Sequence, residues 1–198
     1  MNRIAPDPKL QPWIEYLAYG RNAKLERQLI EKSREPDILK FTPNDAGKRF
    51  GDQASLEQWL RSGRELLWLV GPDNDLAGIV WYAPKPFPLD ITTPENPTDT
   101  FGVRLYHGYA GKSLAIPALE QSLYLEAGRR KSRGEVVPSI WGETDTDNPA
   151  ALATYTRIGY RPVDTSNGRT TLILSAQRIE EIIARQRSSK TIKIGESA

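Results

Sequence analysis

Residues 107–115 read His-Gly-Tyr-Ala-Gly-Lys-Ser-Leu-Ala and lead from an apolar strand pattern into an apolar helical one. Gly108, Ala110 and Gly111 let backbone come close to a bulky anion, and the first N–H groups of a helix have no acceptor within it. Lys112 adds a cation and Ser113 a hydroxyl donor, so the stretch has the means to hold a pyrophosphate without a metal ion. The Gly-Lys-Ser ending is shared with nucleotide-binding P-loops. Those loops start with a glycine five residues before Gly-Lys, and here that position is Tyr106. The acidic partner that a P-loop magnesium ion needs is matched only loosely, by Glu143 in SIWGE. A capped core helix that binds nothing is the plain alternative for the same residues.

The elements that must position this loop are legible from periodicity. TFGVRLY, from Thr100, reads as a strand, and LAIPALEQSLYLEAGRR as a helix with Leu114, Ile116, Leu119, Leu123 and Ala127 roughly in phase. PSIWGET is a further strand. DNPAALATYTRIG is a helix opened by Asn148 and Pro149 and closed by Gly159, and YRPV and TTLILS are two more strands. Upstream, ELLWLVGPDNDLAGIVWYAP is a hairpin folded at Pro-Asp-Asn-Asp, followed by an irregular proline-rich loop from 84 to 99. Leu10, Trp13, Ile14, Leu17, Leu25, Leu29 and Ile30 predict helix over residues 8–33, broken near Gly20. DILKFTP predicts a short strand, and residues 45–63 two short helices, the second starting at Ser55. A short amphipathic helix on Ile179, Ile182 and Ile183 ends the pattern.

Composition narrows the function. With 27 basic and 25 acidic residues the formal net charge is +2, an even balance that gives no warrant for a nucleic-acid or anionic-membrane surface. Arg129, Arg130, Lys131 and Arg133 form the one basic cluster, which reads as a solvated helix C-terminus or, less simply, a nucleic-acid contact. The absence of cysteine excludes disulfides, thiolate metal sites and cysteine nucleophiles, and a single histidine argues against a histidine-built metal centre. No metal site is expected. MNRIAPDPKL lacks a signal-peptide pattern and no window resembles a membrane span, so a soluble, cytoplasmic protein is the expectation.

Taken together, the strand, YAGKSLA, the long helix, SIWGET and DNPAALATYTRIGYRPV resemble the GCN5-related N-acetyltransferases over about residues 38–175. Their core motif is Gln or Arg, two residues, Gly, one residue, Gly or Ala. It maps onto 110–115, where Ala110 replaces Gln or Arg and Ser113 replaces Gly, with Gly111 and Ala115 in keeping with the pattern. Asn148, Ala151, Tyr155, Gly159 and Tyr160 reproduce the family's Asn, Ala, Tyr, Gly, aromatic spacing. The resemblance implies an α/β (α+β) fold with a mixed, mostly antiparallel sheet of six or seven strands flanked by helices. Residues 1–36 are then an N-terminal helical extension, 37–176 the acetyltransferase domain, and 177–198 a C-terminal helix and tail.

The implied activity is transfer of an acetyl group from acetyl-CoA, as co-substrate, to a primary amine by direct attack. The resemblance places the cofactor on Val103, Leu105, Gly108, Ala110, Gly111, Lys112, Ser113, Leu114, Ala115 and Asn148. The Val103 amide, helped by Leu105, would hold the thioester carbonyl, and Gly102 would permit its close approach. Tyr155 would protonate the leaving thiolate, or else is a core tyrosine bonded to a carbonyl. Asn148 caps its helix, with or without a bond to the pantetheine arm. Glu143 is the first candidate base, with Asp145 and His107 behind it; Trp81, Tyr82 and Asp145 are candidates for the acceptor pocket. Arg61, Arg64 and Arg104 would suit an anionic acceptor if they are not simply surface residues. The acceptor stays open between a small amine, an aminoglycoside, a peptide and a protein lysine. The rivals are a degenerate member that binds acyl-CoA without catalysis and a toxin-like enzyme acting on charged tRNA. The two terminal helices offer faces for a homodimer.

Overall fold

The computed structural model describes residues 3–91 and 93–195. Eight strands make one sheet in the order β1-β2-β3-β4-β5-β6-β8-β7. They are β1 (Arg3–Ile4), β2 (Tyr16–Tyr19), β3 (Glu65–Val70), β4 (Leu76–Pro84), β5 (Asp99–Leu105), β6 (Ile140–Asp145), β7 (Arg161–Ser166) and β8 (Arg169–Leu174). The helices are α1 (Ala23–Lys32), α2 (Pro36–Phe41), α3 (Gln53–Arg61), α4 (Ala115–Ser132), α5 (Pro149–Ile158) and α6 (Ala176–Gly195). The β1–β2, β2–β3, β3–β4, β6–β8 and β7–β8 ladders are antiparallel. The β5–β6 ladder is parallel and consists of Asp99↔Ile140 and Thr100↔Trp141. Contacts divide the chain into two units, Met1–Pro84 with Phe101–Ala118, and Lys85–Thr100 with Leu119–Ala198.

Several elements depart from the pattern. Tyr16–Tyr19, expected to be helical within the 1–36 extension, is a strand, because it lies directly beside Leu67–Val70 of β3 and buries apolar side chains there. With β1 it brings the sheet to eight strands rather than six or seven. Asp37–Phe41, expected as a strand, lies in α2; Pro36 occupies the first helical turn, where its fixed φ favours helix and its missing N–H is no loss. Residues 45–49 form a single π turn, and α3 is capped by the Asp52 carboxylate, which accepts from Ser55 N at 2.7 Å, so Ser55 is inside the helix. The last helix is longer than expected, and the end of the expected tail, 196–198, lies outside the described residues. Ile179, Ile182 and Ile183 of α6 are buried, as are Leu25 and Leu29 of α1.

The first unit has a core of Leu25, Leu29, Phe50, Leu56, Trp68 and Ile79 among others, closed by a buried carboxylate. Glu26, 3% exposed, accepts from Arg21 Nε at 2.5 Å, Gln53 Nε2 at 3.0 Å and Asn22 N at 3.2 Å. The Arg21 hydrogen bond is the main cause that holds its carboxyl below the usual carboxylate range. A depressed carboxyl contributes stability that is present above its unfolded pKa and fades as pH falls through the folded one. Thermal melts between pH 7 and about 3 will therefore show a steeper acid loss for the wild type than for Glu26→Gln. Equal slopes would mean that Glu26 carries none of the acid sensitivity.

Candidate functional site

In the first unit the loop after β5 is built by a few local bonds. Tyr106 N donates to Ala77 O of β4 at 3.0 Å, so the N–H groups of Val103 and Leu105, one residue out of phase, point away from β4. Tyr109 N and Ala110 N both donate to Tyr106 O, at 3.0 and 3.1 Å, and turn the chain. Gly108, Gly111 and Ser113 then take positive φ, +84°, +77° and +58°. A Cβ at Gly108 or Gly111 would meet nothing within 4 Å, so neither position is crowded. The first i→i−4 bond of α4 runs from Ala118 N to Leu114 O at 3.0 Å. Pro117, in the first turn of α4, has no N–H. The donors at this helix start are therefore those of Leu114, Ala115 and Ile116, the last not anticipated from the sequence.

Ser113 stands where the family motif has glycine and adopts the left-handed conformation that glycine tolerates best. The serine thus holds a conformation that a glycine would adopt with less strain. Ser113→Gly will raise stability by up to about 1 kcal/mol, and Ser113→Val will lower it by about 1–2 kcal/mol, since a β-branched residue fits that region worst. Chemical denaturation of both variants checks the opposite signs.

Two anchors of this loop escaped sequence reasoning. Lys112 Nζ lies 3.5 Å from the ring centroid of Trp13, which is 39% exposed. The Tyr109 ring packs against Gly71 so closely that a Cβ there would strike its hydroxyl, and Lys32 Nζ stands 5.9 Å from its centroid. Burial first, then Asp75, pushes the Tyr109 phenol up to about 12, so it remains protonated as a packing group. No local spacing announces either contact, because both partners lie far away along the chain. His107 is exposed, and its backbone N donates to Glu35 at 2.8 Å.

The strand itself is braced from one side. Trp81 fills the space beside Gly102, where any Cβ would strike its indole nitrogen. Tyr82 is buried opposite Glu65. Arg104 Nε donates to Asp45 Oδ2 at 2.7 Å and its NH1 to Val103 O at 2.8 Å, while Arg49 NH1 holds Asp45 Oδ1 at 2.7 Å. Asp45 is 1% exposed, so both its oxygens are committed to guanidinium groups.

The second unit holds the acid–base candidates. Glu143 is exposed on β6, with its carboxylate 4.0 Å from Arg169 Nε. Asp145 is tied closer, at 2.6 Å from Arg169 NH1. The Asn148 side chain caps α5 by accepting from Ala151 N at 3.1 Å, and its own N donates to Asp145 O at 3.1 Å. Tyr155 is 8% exposed, with its ring 5.6 Å from that of Tyr160. Gly159 ends α5 in the left-handed region at φ +113°. The basic cluster is largely neutralised: Arg130 pairs with Asp99 and, at 2.9 Å, with Glu126, Arg133 with Glu135 at 2.7 Å, and Lys131 with Glu180 at 3.2 Å.

No protein-family model matches the chain, and no curated protein matches it. Solved structures do. A spermidine N-acetyltransferase from Vibrio cholerae, in complex with CoA and spermine, superposes with a TM-score of 0.61 at 12% identity, over 82% of this chain and 97% of that one. An aminoglycoside acetyltransferase in complex with coenzyme A gives 0.62 at 14% identity, over 83% and 96%. The chain has the GCN5-related N-acetyltransferase fold. An uncharacterized protein from Bacillus halodurans shares this fold with a TM-score of 0.67 at 12% identity, over 96% of this chain and 97% of that one. Among the described residues of this N-acetyltransferase fold, no helix is long and apolar enough to cross a membrane.

Proposed function

We propose that the chain is an acetyl-CoA-dependent N-acetyltransferase that acts on a primary amine. The loop between β5 and α4 carries the reading: three of its residues, Gly108, Gly111 and Ser113, take positive φ, and an 18-residue helix starts behind it. Its backbone donors fit a pyrophosphate, and Lys112 adds charge to the same rim. Two structural neighbours hold CoA in their own complexes.

Acetyl-CoA supplies an activated acetyl group, whose carbonyl carbon bonds to the amine nitrogen as the carbon–sulfur bond breaks. The backbone amides of Gly111, Lys112, Ser113, Leu114, Ala115 and Ile116 are assigned to the pyrophosphate, with Gly108 and Ala110 shaping the turn. The Val103 amide, with Leu105 next in phase, stabilises the negative charge that grows on the carbonyl oxygen. Tyr155 gives its phenolic proton to the departing sulfur. Glu143 takes the amine proton, directly or through water; Asp145, held by Arg169, is the poorer base and is left, like Trp81 and Tyr82, as a candidate contact for the acceptor. Asn148 keeps its cap and contacts the pantetheine arm.

Calorimetric titration of the purified protein with acetyl-CoA, followed by amine-dependent thiol release, tests this. Micromolar binding with release is the expected result. Binding without release from any amine would leave an acyl-CoA sensor, and no binding would overturn both.

A further inference from the structure

Arg64 lies between α3 and β3 and is stacked on tryptophan. Its guanidinium carbon stands 4.9 Å from the Trp59 centroid and 5.8 Å from that of Trp81. Trp59 in turn meets Trp81 and Phe50 edge-on, at centroid distances of 5.6 and 5.0 Å. One guanidinium nitrogen, NH1, is spent on the end of α3, donating to Trp59 O at 3.2 Å and to the Ser62 hydroxyl. A helix C-terminus welcomes such a cation, so part of this placement is structural.

The rest is not accounted for by capping. Among the described residues no carboxylate lies within ion-pair distance of Arg64, whereas Arg49 and Arg104 share Asp45 and Arg61 has Glu57. Arg64 Nε and Trp59 Nε1 are both buried donors with no acceptor among the described residues. Burial, followed by the like charge of Arg49, disfavours the charged form of Arg64. A half-buried cation with no counter-charge and spare donors is costly by itself and is relieved by an anion. Trp81, the second ring under the Arg64 guanidinium, also presses on Gly102, beside the Val103 amide assigned to the thioester carbonyl.

We infer that the acceptor is an amine that also carries a carboxylate, and that Arg64, lying over the edge-to-face Trp59–Trp81 pair, binds that carboxylate. A planar guanidinium already fixed by stacking suits a carboxylate's two oxygens. A cation without a counter-charge, with Arg49 as a like charge acting on it, makes the same place hostile to a polycation. The acceptor class therefore differs from the spermine and aminoglycosides of the structural neighbours. This rests on the acetyltransferase reading above.

The test compares matched amines on the wild-type protein, after titration has shown that it binds acetyl-CoA: lysine against cadaverine and arginine against agmatine, with spermidine as polycation. The carboxylate-bearing member of each pair is expected to have a kcat/KM about tenfold higher or more. Arg64→Gln is expected to erase that preference while leaving cadaverine and agmatine within about two-fold, and Arg64→Lys to restore part of it. Preference for cadaverine, agmatine or spermidine in the wild type would overturn the inference and leave the acetyltransferase reading standing. So would an equal loss on both members in Arg64→Gln, which would mark Arg64 as a purely structural cap. If Arg64→Gln does not fold, the wild-type pairs decide alone. Absence of acetyl-CoA binding would remove the acetyltransferase reading itself, and the acceptor inference with it.

Discussion

Gly111→Glu will weaken acetyl-CoA binding about 100-fold, while Gly111→Gln will weaken it only a few-fold. The two variants bear the same conformational strain, since residue 111 has φ +77° and any side chain there is disfavoured by about 1–2 kcal/mol. Neither is short of room, because a Cβ at 111 meets nothing within 4 Å. They differ in charge alone. A carboxylate a few ångströms from a pyrophosphate near the surface costs about 2–4 kcal/mol at low ionic strength. That penalty is partly screened, so the gap between the variants narrows as salt is raised from about 0.05 to 0.5 M. Calorimetry at two salt concentrations reads both effects. Equal weakening by Glu and Gln would mean that the loop conformation, not a phosphate, is what the substitution disturbs.

Much of this fold was legible in the chain wherever local rules and tertiary packing agree. The β3–β4 hairpin shows because two apolar runs flank Pro72-Asp-Asn-Asp, a turn with no strand alternative. The start of α5 shows because Asn148 caps and Pro149 opens, and its end because Gly159 supplies the left-handed residue. The β5–loop–α4 unit shows because small residues separate a strand period from a helix period. Errors fell where short apolar segments satisfy two periods at once. Leu17 fits a helical spacing with Leu10 and Ile14, but Tyr16–Tyr19 is held as strand by Leu67–Val70, some fifty residues away. Around the candidate loop, its place between a strand and a helix was legible, whereas the Trp13–Lys112 contact and the Asp45 bridge to Arg104 were not. Those contacts join segments that only the folded chain brings together. Ser113 could not be read either: a serine gives no local sign that its backbone will take a positive φ.

Tyr155→Phe will lower kcat about 100-fold and leave acetyl-CoA affinity within about two-fold, the low end of what a positioned general acid contributes. The argument turns on what phenylalanine keeps. Tyr155 is 8% exposed and packs against Tyr160 at 5.6 Å between centroids, and that ring contact survives loss of the hydroxyl. A purely structural hydroxyl would act through stability, by about 1 kcal/mol for one net hydrogen bond, and would shift the melting midpoint by a few degrees without a selective loss of turnover. A proton donor acts on the step in which sulfur leaves, so the loss falls on kcat and kcat/KM together, the mark of an interaction made in the transition state. Glu143→Gln gives the complementary profile: exposed on β6, the carboxylate has little to contribute to stability, and its replacement lowers turnover most at low pH, where the amine is protonated and a base is most needed. Measuring kcat, acetyl-CoA affinity and melting midpoint on the same Tyr155→Phe preparation separates the two roles. A large fall in the midpoint with kcat unchanged would return Tyr155 to the core and leave the thiolate to be protonated by water.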